Sequence, residues 1–212
     1  MEHYGVDRIS INPQTMDDRV LEILGRRHQS ADILRAYDQA LQAGHKDINM
    51  DLIAGLPGDT PEGFLHTMEE TIQLKPSNIT VHTLALKKAA TLYYEKRTAL
   101  PTADAVEQML GNGNAMLRHS GYRPYYLYRQ KYMTGSFENV GWCRPGGESL
   151  YNICMMEELH TILSLGAGGV TKLIDPGAGS LVRLSNPKYP KEYIDHIDAI
   201  VAQKEDITWP IS

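Results

Sequence analysis

Apolar positions recur with two alternating rhythms over the first eighty-odd residues. Arg8-Ile9-Ser10-Ile11-Asn12 alternates as a short strand does, and over 15–26 the apolar residues Met16, Val20, Ile23 and Leu24 fall at helical spacing. Ser30 is placed to cap a second helix with Ile33, Leu34, Tyr37 and Leu41 as its stripe and Gly44 as its stop. Residues 48–54 predict the next strand. Thr60 and Pro61 open a helix that turns Phe64, Leu65, Met68 and Ile72 inward, and Pro76 ends it. Residues 78–84, rich in β-branched side chains, predict a third strand. Strand, helix, strand, helix, strand predicts right-handed βαβ units and a parallel sheet.

Three parallel strands with bare edges bury too little of themselves. The expectation is that this segment pairs with sequence upstream of it, and Met1 standing a few residues before a strand agrees. Past residue 90 the texture changes. Residues 103–119 predict a helix with Val106, Met109, Leu110, Met116 and Leu117 as its stripe, weakened in the middle by Gly111 and Gly113. Residues 122–132 are strand-like and carry five of the chain's 12 tyrosines together with several cations. A Gly/Pro-rich loop is expected over 141–147, then a helix or buried segment over 148–165. The Gly166-Ala167-Gly168-Gly169 run breaks that pattern. The tail, 187–212, predicts one amphipathic helix with Tyr193, Ile194, Ile197 and Ile200 on a face. The expected division is therefore 1–90 and 91–212.

Composition narrows the classes. At 212 residues, 42% hydrophobic and 22% charged, the chain suits a globular protein with a real core. A net charge of -5 argues against a nucleic-acid groove or an anionic membrane surface as the main partner. No apolar run approaches the roughly 18 residues that span a bilayer, and no signal-peptide core precedes the first strand, so a cytoplasmic location is expected. Cys143 and Cys154 are expected to be free thiols. With two cysteines and no CxxxCxxC, the chain cannot ligate an iron–sulfur cluster by itself. The histidines, His82 and His160 among them, have no metal-ligand spacing, so no metal site is assigned.

The candidate chemistry gathers at strand ends. Asn49-Met50-Asp51-Leu52-Ile53-Ala54-Gly55-Leu56-Pro57-Gly58 brings a strand to its C-terminal edge with one carboxylate in it. Parallel α/β folds place their sites at that edge. If the even positions pack under helices, Asp51 faces the other side, where it can accept from a ribose or an amine; a capping or salt-bridged aspartate is the alternative. Gln14 is either a donor to such a ligand or a turn residue, and Arg26 an anion partner or a cation facing a helix C-terminus. Ala85, just past the third strand, offers only its backbone. Tyr126, Tyr128 and Gln130 on one face, with Arg129 and Lys131 on the other, suit an aromatic wall beside a cationic rim, able to stack a flat macrocycle. A half-buried edge strand fits the same residues. Gly166-x-Gly168 lacks the third glycine and the acidic partner of a dinucleotide fingerprint.

Taken together, these segments resemble the oxygen-independent coproporphyrinogen III oxidases (coproporphyrinogen dehydrogenases), radical S-adenosylmethionine (SAM) enzymes of haem biosynthesis. The resemblance runs from Gly5-Val6-Asp7-Arg8-Ile9-Ser10-Ile11-Asn12-Pro13-Gln14 through the Asp51 to Gly58 run. It continues through Tyr122 to Lys131, Glu138-Asn139-Val140-Gly141, Pro145 to Ile153 and Leu165 to Lys172. It implies an α/β fold: the C-terminal part of a radical SAM partial (β/α) barrel followed by a mixed, mostly helical accessory domain. It also implies that Gln14, Arg26, Asp51, Ala85 and Lys172 contact S-adenosylmethionine, with Asp51 on the ribose hydroxyls, Arg26 on the methionine carboxylate and the Ala85 backbone at the adenine. Tyr126, Tyr128, Arg129 and Gln130 would face the substrate.

The family's [4Fe-4S] cluster sits on a CxxxCxxC loop that this sequence lacks, and no catalytic residue is assigned. The resemblance implies oxidative decarboxylation of coproporphyrinogen III to protoporphyrinogen IX, an electron donor as partner, and a chain inactive by itself. A haem-binding chaperone of the same branch, with a porphyrinogen or haem-like ligand, is the second expectation. A scaffold domain without catalysis is the third.

Overall fold

A computed structural model describes residues 5–85, 100–129, 137–175, 177, 179–205 and 207. The chain forms two compact units, Met1–Glu148 and Ser149–Ser212. The boundary expected near residue 90 lies outside the described residues.

In the first unit, β1 (Arg8–Ser10), β2 (Asp47–Ala54) and β3 (Asn78–Thr83) are parallel neighbours. Between them run α1 (Asp18–Ile23), α2 (Ser30–Gln42) and α3 (Pro61–Gln73), as βαβ patterning requires. The α4 helix (Ala103–His119) follows, then β4 (Arg123–Tyr128) and β5 (Asn139–Cys143). The sheet order is β1-β2-β3-β5-β4, and β5 is antiparallel to both of its neighbours. The Arg8 guanidinium meets Asp47 at 3.1 Å across the N-terminal ends of β1 and β2, and Ser77 donates to the same carboxylate. These contacts pin the register at the end of the sheet opposite the GLPG turn.

Ile48, Met50, Leu52 and Ala54 of β2 are fully buried, so the even positions do pack under helices. Leu52 and Ala54 join Ile79, Val81 and Trp142 of the sheet with Phe64 and Met68 of α3 and Val106, Met109, Leu110 and Leu117 of α4. A second cluster unites Met16, Leu21, Ile33, Tyr37 and Ala40 with Ile48 and Met50. Thr60 caps α3 by accepting from the Gly63 N–H, and Thr102 caps α4 by accepting from Ala105. Gly113 lets the two helices close: a β-carbon there would sit 3.1 Å from the Phe64 ring.

Several expectations are corrected. The first helix starts at Asp18, because Asp17 caps it, and Gly25 stops it in a left-handed conformation. Gln29 is the N-cap of α2; Ser30 is its first residue, and Asp32 reaches back to the Gln29 N–H. The buried stripe of α2 is Ile33, Tyr37 and Ala40, while Leu34 and Leu41 are 36% and 48% exposed. Asn139 to Cys143, expected to lead into and form part of a loop, is a strand between two others.

In the second unit, α5 (Leu150–Glu157) ends where Glu158 turns left-handed, so the segment expected to run to 165 is shorter. A hairpin of β6 (Val170–Asp175) and β7 (Ser180–Ser185), absent from the sequence reading, follows the glycine run. The single tail helix is two, α6 (Pro190–Asp195) and α7 (Ile197–Glu205), parted at His196. Of its expected stripe only Ile200 is buried; Ile194 is 67% exposed.

Candidate functional site

The face of the first unit's sheet that carries Asn49 and Asp51 is polar and aromatic. Asn49 and Asp51 of β2 stand beside Asn78, Thr80 and His82 of β3 because Asn49 is in register with Asn78 and Asp51 with Thr80. Across β3, Thr80 is in register with Gly141 of β5, which in turn opposes Tyr126 of β4; Tyr128 opposes Asn139. Period-two alternation on four strands thus delivers one continuous face.

Hydrogen bonds tie that face together. Asn49 donates to Asp51 Oδ1 at 2.8 Å, and Thr80 donates to Asn49 Oδ1 at 3.3 Å. The Thr80 and Tyr126 hydroxyls lie 3.1 Å apart. The Tyr128 hydroxyl lies 3.0 Å from His82 Nδ1, and His82 Nε2 lies 3.7 Å from Asp51 Oδ2. The Tyr126 and Tyr128 rings are near-parallel, 6.5 Å apart at 9°. Burial works to raise the Asp51 pKa, but His82 and Asn49, with Thr80, outweigh it and hold the carboxyl below its ordinary value. Burial pushes the Tyr126 phenol up to about 12. The site therefore offers an anion at Asp51 and a neutral phenol at Tyr126 near pH 7.

The turn after β2 is held by its glycines. Gly55 and Gly58 have φ of +85° and +76°, and a β-carbon on Gly58 would meet Ile23 Cδ1 at 2.6 Å. The turn delivers the chain to the capped start of α3, leaving Asp51 near the strand's C-terminal end.

The expected site residues divide. Gln14, itself left-handed at φ 68°, bonds β2 on both sides of Leu52: its N–H donates to the Asp51 carbonyl and its carbonyl accepts from Ile53. Its side-chain amide donates to the Asn12 carbonyl, as a turn residue does. Ala85 is half-buried just beyond β3, following Leu84, whose N–H continues the pairing to Ala54. Arg26 is exposed and lines a cleft of about 480 Å³ with Asp18, Arg19, Glu22, Arg27, His28 and Gln29, none of them on the sheet face. Lys172 belongs to the second unit, where its ammonium is held by Glu158 and the Met155 carbonyl. Arg129 pairs with Glu138 at 3.0 Å. Gln130 lies outside the described residues. Among the described residues β4 is an edge strand, and Tyr126 and Tyr128 share one of its faces.

Sequence reasoning missed His82, Asn49 and Thr80. The signal was present: Asn78, Thr80 and His82 alternate on β3 as Asn49 and Asp51 do on β2.

Comparison with known proteins agrees with this architecture. The Radical SAM superfamily profile matches residues 1–71. The chain is 41% identical over 205 residues to the oxygen-independent coproporphyrinogen-III oxidase-like protein HemZ of Bacillus subtilis, covering 96% of this chain and 41% of that one. The chain therefore resembles the coproporphyrinogen oxidase-like radical SAM proteins. Heme chaperone HemW of Haemophilus influenzae is 30% identical over 190 residues, covering 90% of this chain and 46% of that one. The solved structure of coproporphyrinogen III oxidase (HemN) from Escherichia coli, a radical SAM enzyme, superposes with a TM-score of 0.70 at 22% identity, over 93% of this chain and 44% of that one. That superposition establishes the fold. The chain spans less than half the length of these relatives.

The residues present fit the two cofactors of that family unequally. Asp51 is an ionised carboxylate with acceptor capacity left on Oδ2, which suits the paired hydroxyls of a ribose. No group of three or more His, Cys, Asp or Glu suited to a metal occurs among the described residues. Cys143 is buried, and burial with Glu148 nearby pushes its thiol up to about 12, the opposite of what a thiolate ligand needs. The chain's own residues do not fit an iron–sulfur cluster. Among the described residues no helix is long and apolar enough to cross a membrane.

Proposed function

We propose that this chain is a portion of a cytoplasmic radical SAM oxidoreductase that oxidatively decarboxylates coproporphyrinogen III to protoporphyrinogen IX. The observation that carries the reading is the single face on which hydrogen bonds link the Asp51 carboxylate through Asn49 and Thr80 to Tyr126, with the Tyr128 ring near-parallel beside it. Asp51 would accept from the ribose hydroxyls of S-adenosylmethionine. The backbone at Ala85 would face the adenine and Arg26 the methionine carboxylate, with Gln14 as a further contact. Tyr126 and Tyr128 would stack the tetrapyrrole, with Arg129 toward its carboxylates. When bound, S-adenosylmethionine supplies the radical chemistry; the residues here bind, orient and shield. The 1–90 segment would carry the cofactor wall, and 91–212 would carry the substrate wall and accessory region.

Cluster ligation, and with it turnover and the electron donor, would belong to sequence other than this. After anaerobic iron–sulfur reconstitution, the chain alone is expected to leave S-adenosylmethionine uncleaved; production of 5′-deoxyadenosine by it would overturn that point.

The HemW relatives favour a second reading, a haem-binding chaperone, because a stacked tyrosine wall serves haem as well as a porphyrinogen. A haem titration separates the two. A shifted, saturable Soret band with no effect of coproporphyrin III favours the chaperone, and competition by coproporphyrin III favours the oxidase.

A further inference from the structure

We propose that His82 is a positioning residue that aligns Asp51 and, through Tyr128, couples the nucleoside position to the aromatic wall. The inference rests on the proposed reading of Asp51 and Tyr128 and adds a residue and a coupling to it.

The chemistry of the three groups sets a direction. Ionised Asp51 can only accept, so the imidazole nitrogen facing it, Nε2 at 3.7 Å, carries the hydrogen. In the neutral ring that leaves Nδ1 as an acceptor, to which the Tyr128 hydroxyl, 3.0 Å away, can donate. The phenol thus selects the tautomer that aims a donor at the carboxylate. At 3.7 Å the second link is longer than a hydrogen bond, so a small shift of the imidazole decides whether it closes. The Tyr128 ring meets the imidazole edge-on at 6.2 Å and 70°, which limits how the imidazole can turn. The other acceptor of Asp51, Oδ1, is already fixed by Asn49, leaving the His82 side as the adjustable one.

A planar ring stacked on Tyr128 would order its hydroxyl and, through it, the imidazole. A nucleoside on Asp51 then binds a network already ordered, and each ligand tightens the other by the same factor. Allosteric couplings of this kind are commonly about fivefold or more.

The test measures the Kd of S-adenosylhomocysteine by calorimetry, with and without saturating coproporphyrin III. Wild type, His82→Phe, His82→Gln, Tyr128→Phe and Asp51→Asn are compared. In wild type the porphyrin is expected to tighten the nucleoside about fivefold. In Tyr128→Phe, which removes one hydroxyl and keeps the ring, the coupling falls to unity whatever the change in either affinity taken alone. His82→Phe weakens the nucleoside about tenfold, and His82→Gln, which retains a donor, recovers part of that. A merely structural histidine would leave the coupling factor unchanged. Wild-type nucleoside affinity and full coupling in both Tyr128→Phe and His82→Gln would overturn the proposal. If Asp51→Asn still abolished binding, the reading of Asp51 would stand without it. Failure of wild-type protein to bind S-adenosylhomocysteine would overturn both.

Discussion

The Tyr126 ring lies across Gly141 on the neighbouring strand, so close that a β-carbon at 141 would fall 1.8 Å from the ring. A glycine inside a strand costs conformational entropy and packs nothing. Here it opens the groove that lets the Tyr126 hydroxyl reach Thr80 on the strand beyond. Gly141→Ala is expected to cost about 1–3 kcal/mol by overpacking. In a Tyr126→Ala background most of that cost should vanish. Urea denaturation of the four proteins checks it; a penalty equal in both backgrounds would contradict the contact.

Asp59 is 6% exposed, with Oδ2 unpartnered and Oδ1 accepting from the Thr60 N–H. Burial, with the Asp17 charge adding to it, raises its pKa from 3.8 to about 6. The folded state therefore binds this proton more tightly than the unfolded chain. The stabilising contribution is complete below about pH 4 and is lost as pH rises through about 6. Asp59→Asn removes the buried charge but adds an N–H in need of a partner, so a gain of about 1 kcal/mol is expected near pH 8. That gain should disappear at pH 4. A gain independent of pH would contradict the assignment.

Gly111 sits mid-helix in α4, and a β-carbon there would meet nothing within 4 Å. Gly111→Ala is expected to stabilise by about 0.5–1 kcal/mol, the ordinary helix cost of glycine. Thermal melting checks the sign, and a fall in Tm would show that the helix needs the glycine there.

Cys143 is buried with its thiol pushed up to about 12. Iodoacetamide at pH 8 should label it only as fast as the fold opens, and denaturant should accelerate labelling steeply. Rapid labelling of native Cys143 would contradict its burial.

The parallel half of the fold was legible because its signals are local. The first two strands run into Pro13 and Gly55, Thr60 and Thr102 announce helices, and the even positions of β2 form an unbroken apolar face. Asp51 could be read for the same reason. What escaped depended on pairing across long sequence separations. Gly141 looks like a loop residue until Tyr126 is placed over it, and His82 looks inert until its strand is set in register with Asp51. The β6–β7 hairpin was hidden because its strands are short, half-exposed and of mixed polarity. The α2 stripe was misjudged at Leu34 and Leu41, where the helix face is wider in sequence than the surface available to cover it.

The central claim is that Asp51 is the carboxylate that takes a nucleoside's ribose. Equilibrium dialysis of S-adenosylhomocysteine against wild-type chain and Asp51→Asn, with melting curves to confirm that both are folded, tests it most directly. Saturable binding is expected for wild type and about tenfold or greater weakening in the variant, as loss of a hydrogen bond to a charged group implies. Equal binding by the two folded proteins would contradict it.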